Sequence, residues 1–181
     1  MKRSTVVLLA FLLAAAAFSA QAQVVPSASG RRLTIHAGGE GSVFQPDYAG
    51  NGIAQASPNR LYGIGAYVDA DFTRWVQIEA EGRWLRFNPY AGINENTYMI
   101  GPRIPIIEFK RFTPYGKFLF GMSTGSFLTG RTTAWAYGGG LDYRLNRKFT
   151  LRCVDFEYQD WRVTPNLFPY GFSVGLSYRV F

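Results

Sequence analysis

Hydrophobic side chains alternate with small or polar ones along eight segments of this chain. In residues 170–181, YGFSVGLSYRVF, one face holds Tyr170, Phe172, Val174, Leu176, Tyr178 and Val180. The other face holds Gly171, Ser173, Gly175, Ser177 and Arg179. A period of two is the signature of a strand. The same period runs through residues 33–44, 61–72, 75–87, 97–107, 112–122, 134–145 and 149–160. It is clearest in 61–72, where Tyr62, Ile64, Ala66, Val68, Ala70 and Phe72 oppose Gly63, Gly65, Asp69 and Asp71. Two places strain the pattern. Pro102 and Pro105 lack an amide proton, so the fourth strand is expected to be bulged or weakly paired there. In the seventh, Arg152 shares parity with Val154, and a β-bulge near Cys153 would restore the phase.

The predicted connections alternate long and short. Residues 45–59, 88–96, 123–133 and 161–169 form the long ones. Tight turns at 73–74, 108–111 and 146–148 form the short ones. Eight strands joined in this way predict an all-β fold, an eight-stranded antiparallel transmembrane β-barrel with short periplasmic turns and four external loops. A soluble secreted carrier of the lipocalin kind has the same period with the faces inverted. Composition separates the two. Eight strands leave an interior that side chains just fill. Tyr62, Phe72, Trp84, Phe118, Phe120, Trp135, Phe156 and Phe172 are too bulky to share it, whereas glycine and paired charges fit. The apolar faces are therefore expected to meet lipid.

The ends of the chain agree with an outer-membrane location. Lys2 and Arg3 precede an apolar run over residues 6–18, and Ala20-Gln21-Ala22 is a small-x-small cleavage site. The run is shorter than the ~20 residues of a spanning helix. Residues 1–22 are expected to be a cleaved signal peptide, 23–32 a short polar lead and 33–181 the barrel. Export to the periplasm and insertion in the bacterial outer membrane follow. Tyr178, Val180 and Phe181 form the expected C-terminal insertion signal, read by the barrel assembly machinery. Phe181 lies one residue out of phase with the apolar face, which makes Tyr178 the in-phase anchor.

Composition adds limits. Removing Lys2 and Arg3 lowers the formal charge from +7 to +5, and no basic run remains to bind nucleic acid. The single cysteine, Cys153, excludes an internal disulfide framework and a cysteine-based zinc site. Twenty glycines and 17% aromatics suit a narrow barrel with interfacial anchors.

With lipid outside, the lumen face collects Glu40, Asp69, Asp71, Glu79, Glu81, Asp142, Asp155 and Glu157. It also collects Arg83, Arg103, Lys117, Arg144 and Arg179. Isolated buried charges are costly, so these groups must pair, share protons or hold water. A simple hairpin between the third and fourth strands would set residue 87 opposite 97, and Glu81 opposite Arg103. The two functional readings are a plug of salt bridges and a narrow path for ions or small solutes.

Catalytic chemistry has little to build on. His36 is the sole histidine, with Glu40 and Ser42 on its face, a minimal basis for a membrane hydrolase. Glu79 and Glu81 are paired carboxylates, but a narrow barrel offers no sugar cleft. Gly138-Gly139-Gly140 lies within a strand pattern, without the strand–turn–helix context of a phosphate loop. No enzyme activity, cofactor or metal is expected. The loop aromatics Tyr48, Tyr90, Phe127, Trp161 and Phe168 are candidates for contacts with an external ligand or for interfacial anchoring.

The segments TYMIGPRI (97–104), TPYGKFLFG (113–121), VDFEYQDW (154–161) and FSVGLSYRVF (172–181) resemble the small outer-membrane barrels of the porin-like, opacity-type superfamily. The transmembrane domain of outer membrane protein A has the same fold. The resemblance covers residues 31–181 and implies fold and location, with outer-membrane lipid as a partner. It implies no catalytic residues. The peptidoglycan-binding domain that follows the barrel in outer membrane protein A has no counterpart, so a tether to the cell wall is not expected.

Overall fold

The computed structural model describes residues 33–46, 60–73, 75–87, 93–126, 128–164 and 166–181. The expected signal peptide and polar lead lie outside them, as do Tyr48, Tyr90 and Phe127.

Eight antiparallel strands form one closed sheet. They are β1 (Thr34–Gln45), β2 (Leu61–Asp71), β3 (Gln77–Phe87), β4 (Glu95–Pro105), β5 (Phe112–Gly125), β6 (Thr132–Arg144), β7 (Phe149–Trp161) and β8 (Tyr170–Arg179). Each pairs with its neighbours in sequence, and β1 pairs with β8 to close the barrel. Closure leaves no free edge, so every strand finds two partners. Strands of 10 to 14 residues match the ~9–11 residues that a tilted strand needs to cross a bilayer.

The apolar faces point outward. Ile64, Ile100 and Val174 are 60%, 56% and 57% exposed. Glu79 and Arg83, on the opposite face, are fully buried. A lipocalin-like carrier would show the reverse, so that alternative is set aside. The outer surface also carries ring pairs between neighbouring strands. Phe120–Trp135, Phe156–Phe172 and Phe149–Tyr178 have centroids 4.6, 5.1 and 5.2 Å apart.

Two local expectations meet the register directly. In β7, Leu141 pairs with Val154 while Asp142 pairs with Arg152, so Cys153 is the extra residue of a bulge. The β7–β8 register shifts at the same place. The bulge turns Arg152 inward, to 1% exposure. Between β4 and β5, pairing passes from Ile100–Phe120 to Arg103–Lys117 without a slip, leaving the Gly101–Pro102 step unpaired. That strand is weakly paired at its first proline rather than bulged. The β3–β4 hairpin differs from expectation. β4 starts two residues earlier than the sequence suggested, and Arg103 lies opposite Gln77, with Glu81 opposite Met99. The expected Glu81–Arg103 alignment is thereby replaced by a register four residues away.

The interior is narrow enough that side chains need glycines beside them. The Tyr67 ring leans across the lumen over Gly38 and Gly175. A Cβ on Gly38 would lie 2.5 Å from Tyr67 Cζ and 2.9 Å from the Leu176 carbonyl oxygen. A Cβ on the outward-facing Gly41 would meet nothing within 4 Å. Gly38→Ala should therefore destabilise the barrel by ~1–3 kcal/mol, while Gly41→Ala stays within about 0.5 kcal/mol. Urea unfolding in lipid vesicles, followed by tryptophan fluorescence, measures both. Equal midpoints for the two variants would contradict the tight Tyr67–Gly38 contact.

Candidate functional site: a buried charge network in the lumen

Alternation places one inward side chain every second residue, and closure of the barrel brings those from different strands together. Four bases dominate the interior: Arg83 on β3, Arg103 on β4, Lys117 on β5 and Arg152 on β7. Arg83 Nη1 donates to Glu157 Oε1 at 2.9 Å, and its Nη2 meets Glu40 Oε1 at 3.2 Å as well as the Glu81 carboxylate. Lys117 Nζ meets Asp155 Oδ2 at 2.6 Å, Glu157 Oε2 at 2.9 Å, Glu81 Oε2 at 3.1 Å and Glu79 Oε1 at 3.2 Å. Arg152 Nη2 donates to Glu79 Oε2 at 2.7 Å, and its Nη1 to Glu40 Oε2 at 3.3 Å. Arg103 Nη2 donates to Asp142 Oδ2 at 2.5 Å, and its Nη1 to Asp69 Oδ2 at 3.2 Å and Gln77 Oε1 at 3.1 Å.

These contacts join β1 through β7. The eighth strand joins β1 through Ser42 and Ser173, whose hydroxyls lie 2.8 Å apart. Three guanidinium groups also lie over aromatic faces. Arg152 and Arg103 stand 3.6 Å from the ring centres of Tyr67 and Tyr115, and Arg83 stands 4.4 Å from that of Phe44. Rings suit this position because their faces attract a cation and fill space between the carboxylates.

Geometry sorts the expected site residues into two groups. Glu40, Asp69, Glu79, Glu81, Arg83, Arg103, Lys117, Asp142, Asp155 and Glu157 contact one another in the interior. Asp71 stands apart, half-buried at the short-turn mouth, 3.7 Å from His36. Arg144 and Arg179 do not join. Arg144 is exposed beyond the mouth and lies 3.8 Å from Glu108. Arg179 is exposed and donates to Thr34 Oγ1 and the Phe181 carbonyl. Both have the inward parity, but they sit at the last residue of their strands, where the lumen opens to water. A base outside the expected set, Arg152, joins the network. Sequence reasoning missed it because strand parity assigned it to the lipid face. The signal was present in the phase break at Cys153.

A second omission is a ladder of hydrogen bonds rising from this network. Gln159 Nε2 donates to Glu157 Oε1 at 2.5 Å, and Trp161 Nε1 donates to Gln159 Oε1 at 2.6 Å. Trp161 is 1% exposed and packs with Met99, Leu119, Ala134, Ala136 and Leu167 in an apolar layer at the long-loop end. Of the loop aromatics, Trp161 is thus an interior residue, while Phe168 lies at the outer surface and stacks on Tyr158. At the other end, Val180 and Phe181 follow β8 and both donate to the Ile35 carbonyl. Their side chains are both exposed.

Six residues of strand, about 20 Å, separate His36 from Ser42. Glu79 and Glu81 both contact Lys117 rather than an open cleft. Glu40, Glu81 and Asp155 offer oxygens within 4.8 Å of one another. Each of these carboxylates already contacts two of the interior bases.

The sequence matches the family model for the outer membrane protein beta-barrel domain over residues 10–179. Three solved structures show the likeness in space. The attachment invasion locus protein Ail of Yersinia pestis is 19% identical, with 83% of this chain and 99% of that one covered and a TM-score of 0.50. Neisserial surface protein A is 11% identical, with 83% and 99% covered and a TM-score of 0.55. OprG of Pseudomonas aeruginosa is 11% identical, with 82% and 96% covered and a TM-score of 0.57. At these identities the likeness is one of fold. No curated protein matches the sequence.

Removing one partner from a buried ion pair costs about 3–5 kcal/mol, because the other is left uncompensated. Arg152→Ala should lose that much stability in vesicles, while Arg144→Ala loses less than about 1 kcal/mol, as for an exposed pair. Denaturant titration of both variants is the check. A small loss for Arg152→Ala would remove it from the network.

Proposed function

We propose that this chain, which belongs to the outer membrane protein beta-barrel family, is a non-enzymatic structural and surface-interaction protein whose lumen is plugged by its charged residues. Its coarse identity, an integral barrel of the bacterial outer membrane, follows from the family. The plug reading is carried by one observation. Arg83, Lys117 and Arg152 are each buried and each bridge carboxylates from at least two other strands, so the bases occupy the barrel axis rather than line a path. Above them, Phe44, Leu61 and Leu85 form an apolar layer at the long-loop end, beside the layer around Trp161. A hydrated ion crossing the barrel would have to displace both the salt bridges and these side chains.

Neisserial surface protein A is by its name a surface protein, and Ail is named for attachment and invasion. An external ligand at the loops of this chain is the corresponding proposal. Residues 1–22 would be removed on export, and Tyr178, Val180 and Phe181 would be read by the assembly machinery. Their exposed apolar side chains support that role.

One observation favours a second reading, a narrow pathway for ions. Seven carboxylates contact four bases in the network, and oxygens of Asp69, Asp142 and Asp155 are buried without a hydrogen-bond partner. An interior with spare acceptors can hold water or cations.

Planar-bilayer recordings of the purified barrel separate the readings. The plug predicts no reproducible conductance steps in the unmodified protein, and steps that appear when Lys117 is replaced by alanine. Reproducible steps in the unmodified protein, altered by Glu81→Ala or Arg103→Ala, would establish the ion path instead.

A further inference from the structure

We propose that the short-turn end of the barrel is a docking surface for anionic phosphodiester lipid headgroups of the periplasmic leaflet. The proposal goes beyond the lumen reading and does not depend on whether the lumen conducts.

Three features of that end carry it. The first is charge. The β4–β5 turn presents Lys110 and Arg111, and the β6–β7 turn presents Arg147 and Lys148, all exposed. Arg144 and Arg179 are exposed beside them, at the ends of β6 and β8. The carboxylates of Asp71, half-buried and 3.7 Å from His36, and of Glu108, exposed, share that mouth. Glu108 lies 3.8 Å from Arg144.

The second is what the bases stand next to. Ile106, Ile107 and Phe109 are 65%, 61% and 62% exposed immediately before Lys110. Leu145 and Phe149 flank Arg147 and Lys148 and are exposed as well. Lys110 Nζ lies 5.6 Å from the centre of the Phe109 ring, and Lys148 Nζ lies 5.8 Å from that of Tyr178. Apolar side chains at this height meet acyl chains. Cations directly beyond them reach the phosphate level, as long basic side chains do at an interface. A purely aqueous partner would leave those apolar side chains with nothing to match.

The third is the backbone. The β4–β5 turn is closed by two hydrogen bonds of 2.9 Å between Phe109 and Phe112, and this places Lys110 at φ 56°. A lysine in the left-handed region is uncommon and costs free energy where glycine or asparagine would not. The β6–β7 turn is held by Asn146, whose Oδ1 accepts from the amides of Lys148 and Phe149 at 2.8 and 2.9 Å. Both pairs of bases thus start from hydrogen-bonded turns. A turn already closed brings its bases together with less backbone ordering on binding.

The other end also carries bases, Arg60, Arg86, Arg131 and Arg162, though Arg162 lies 3.2 Å from Asp160. The test therefore compares ends. The full barrel is reconstituted in phosphatidylcholine vesicles with trace spin-labelled phosphatidylglycerol or spin-labelled phosphatidylcholine. Electron spin resonance then gives the immobilised fraction of each. The protein should prefer the phosphatidylglycerol reporter by about three- to tenfold at low salt, and the preference should shrink at high salt. The quadruple variant K110Q/R111Q/R147Q/K148Q should lose most of the preference, and R147Q/K148Q about half. R60Q/R86Q/R131Q/R162Q should keep most of it. Heat-dependent gel mobility verifies that each variant is folded. No preference in the unmodified protein, a preference that survives the first quadruple substitution, or an equal loss from the second would overturn the proposal. So would co-sedimentation with purified peptidoglycan that the first variant abolishes, if phosphatidylglycerol shows no preference. In that case the surface would serve the cell wall.

Discussion

Four bases sit buried inside the barrel, and each must be neutralised where it stands. A buried guanidinium or ammonium is costly unless carboxylates stand at hydrogen-bonding distance, and here they arrive from other strands. That requirement constrains the register. A slip of one residue would turn the slipped strand's charges toward lipid and its outer side chains toward the interior. It also explains the small residues. Tyr67 and Tyr115 can stack on Arg152 and Arg103 only because the wall beside Tyr67 is made of Gly38 and Gly175 and the wall beside Tyr115 contains Gly140.

The same constraint works outward. Each strand must satisfy two media at once, so its outer face is as uniform as its inner face is varied. Ile64, Ile100 and Val174 meet hydrocarbon, and tyrosines and tryptophans gather with phenylalanines into cross-strand pairs. Backbone hydrogen bonds then need few partners from either medium, because the sheet is closed. Where a donor is missing, at Pro102, the adjoining ladder resumes in register one step later. A lost donor costs local pairing but not alignment.

Most of this fold was legible in the sequence because period-two alternation is local. The number of strands, the alternation of long and short connections and the choice of the outward face all follow from residues read a few at a time. The placement of Glu79, Arg83 and Lys117 on the inner face follows in the same way. What was not legible depends on distance across the barrel or on where a strand stops. Parity alone could not say that Arg144 and Arg179 stand past the mouth, in water. The β3–β4 register needed the true start of β4 at Glu95, which a polar ENT stretch does not announce. Arg152 needed the bulge to be carried through to its consequence for side-chain direction. Partner identity was least legible. Glu157 contacts Arg83 from four strands away in sequence order, and no alternation pattern encodes that meeting.

The bulge at Cys153 also determines how the seventh strand can change in length. Upstream of it, residues 149–152 keep their phase with the turn at Asn146; downstream, residues 154–161 keep theirs with the ladder that ends at Trp161. The extra residue uncouples the two halves. Loss of Cys153 itself would simply regularise the strand, with Arg152 still inward. Loss of one residue between 155 and 160 would instead turn over every side chain from the gap to the long-loop end; loss of Phe156, for example, would turn Glu157 toward hydrocarbon, where a charge is costly. Within this strand, the loss of a residue is therefore tolerable at the bulge and penalised beyond it. The strand has an adjustable joint here, set beside a buried base, Arg152.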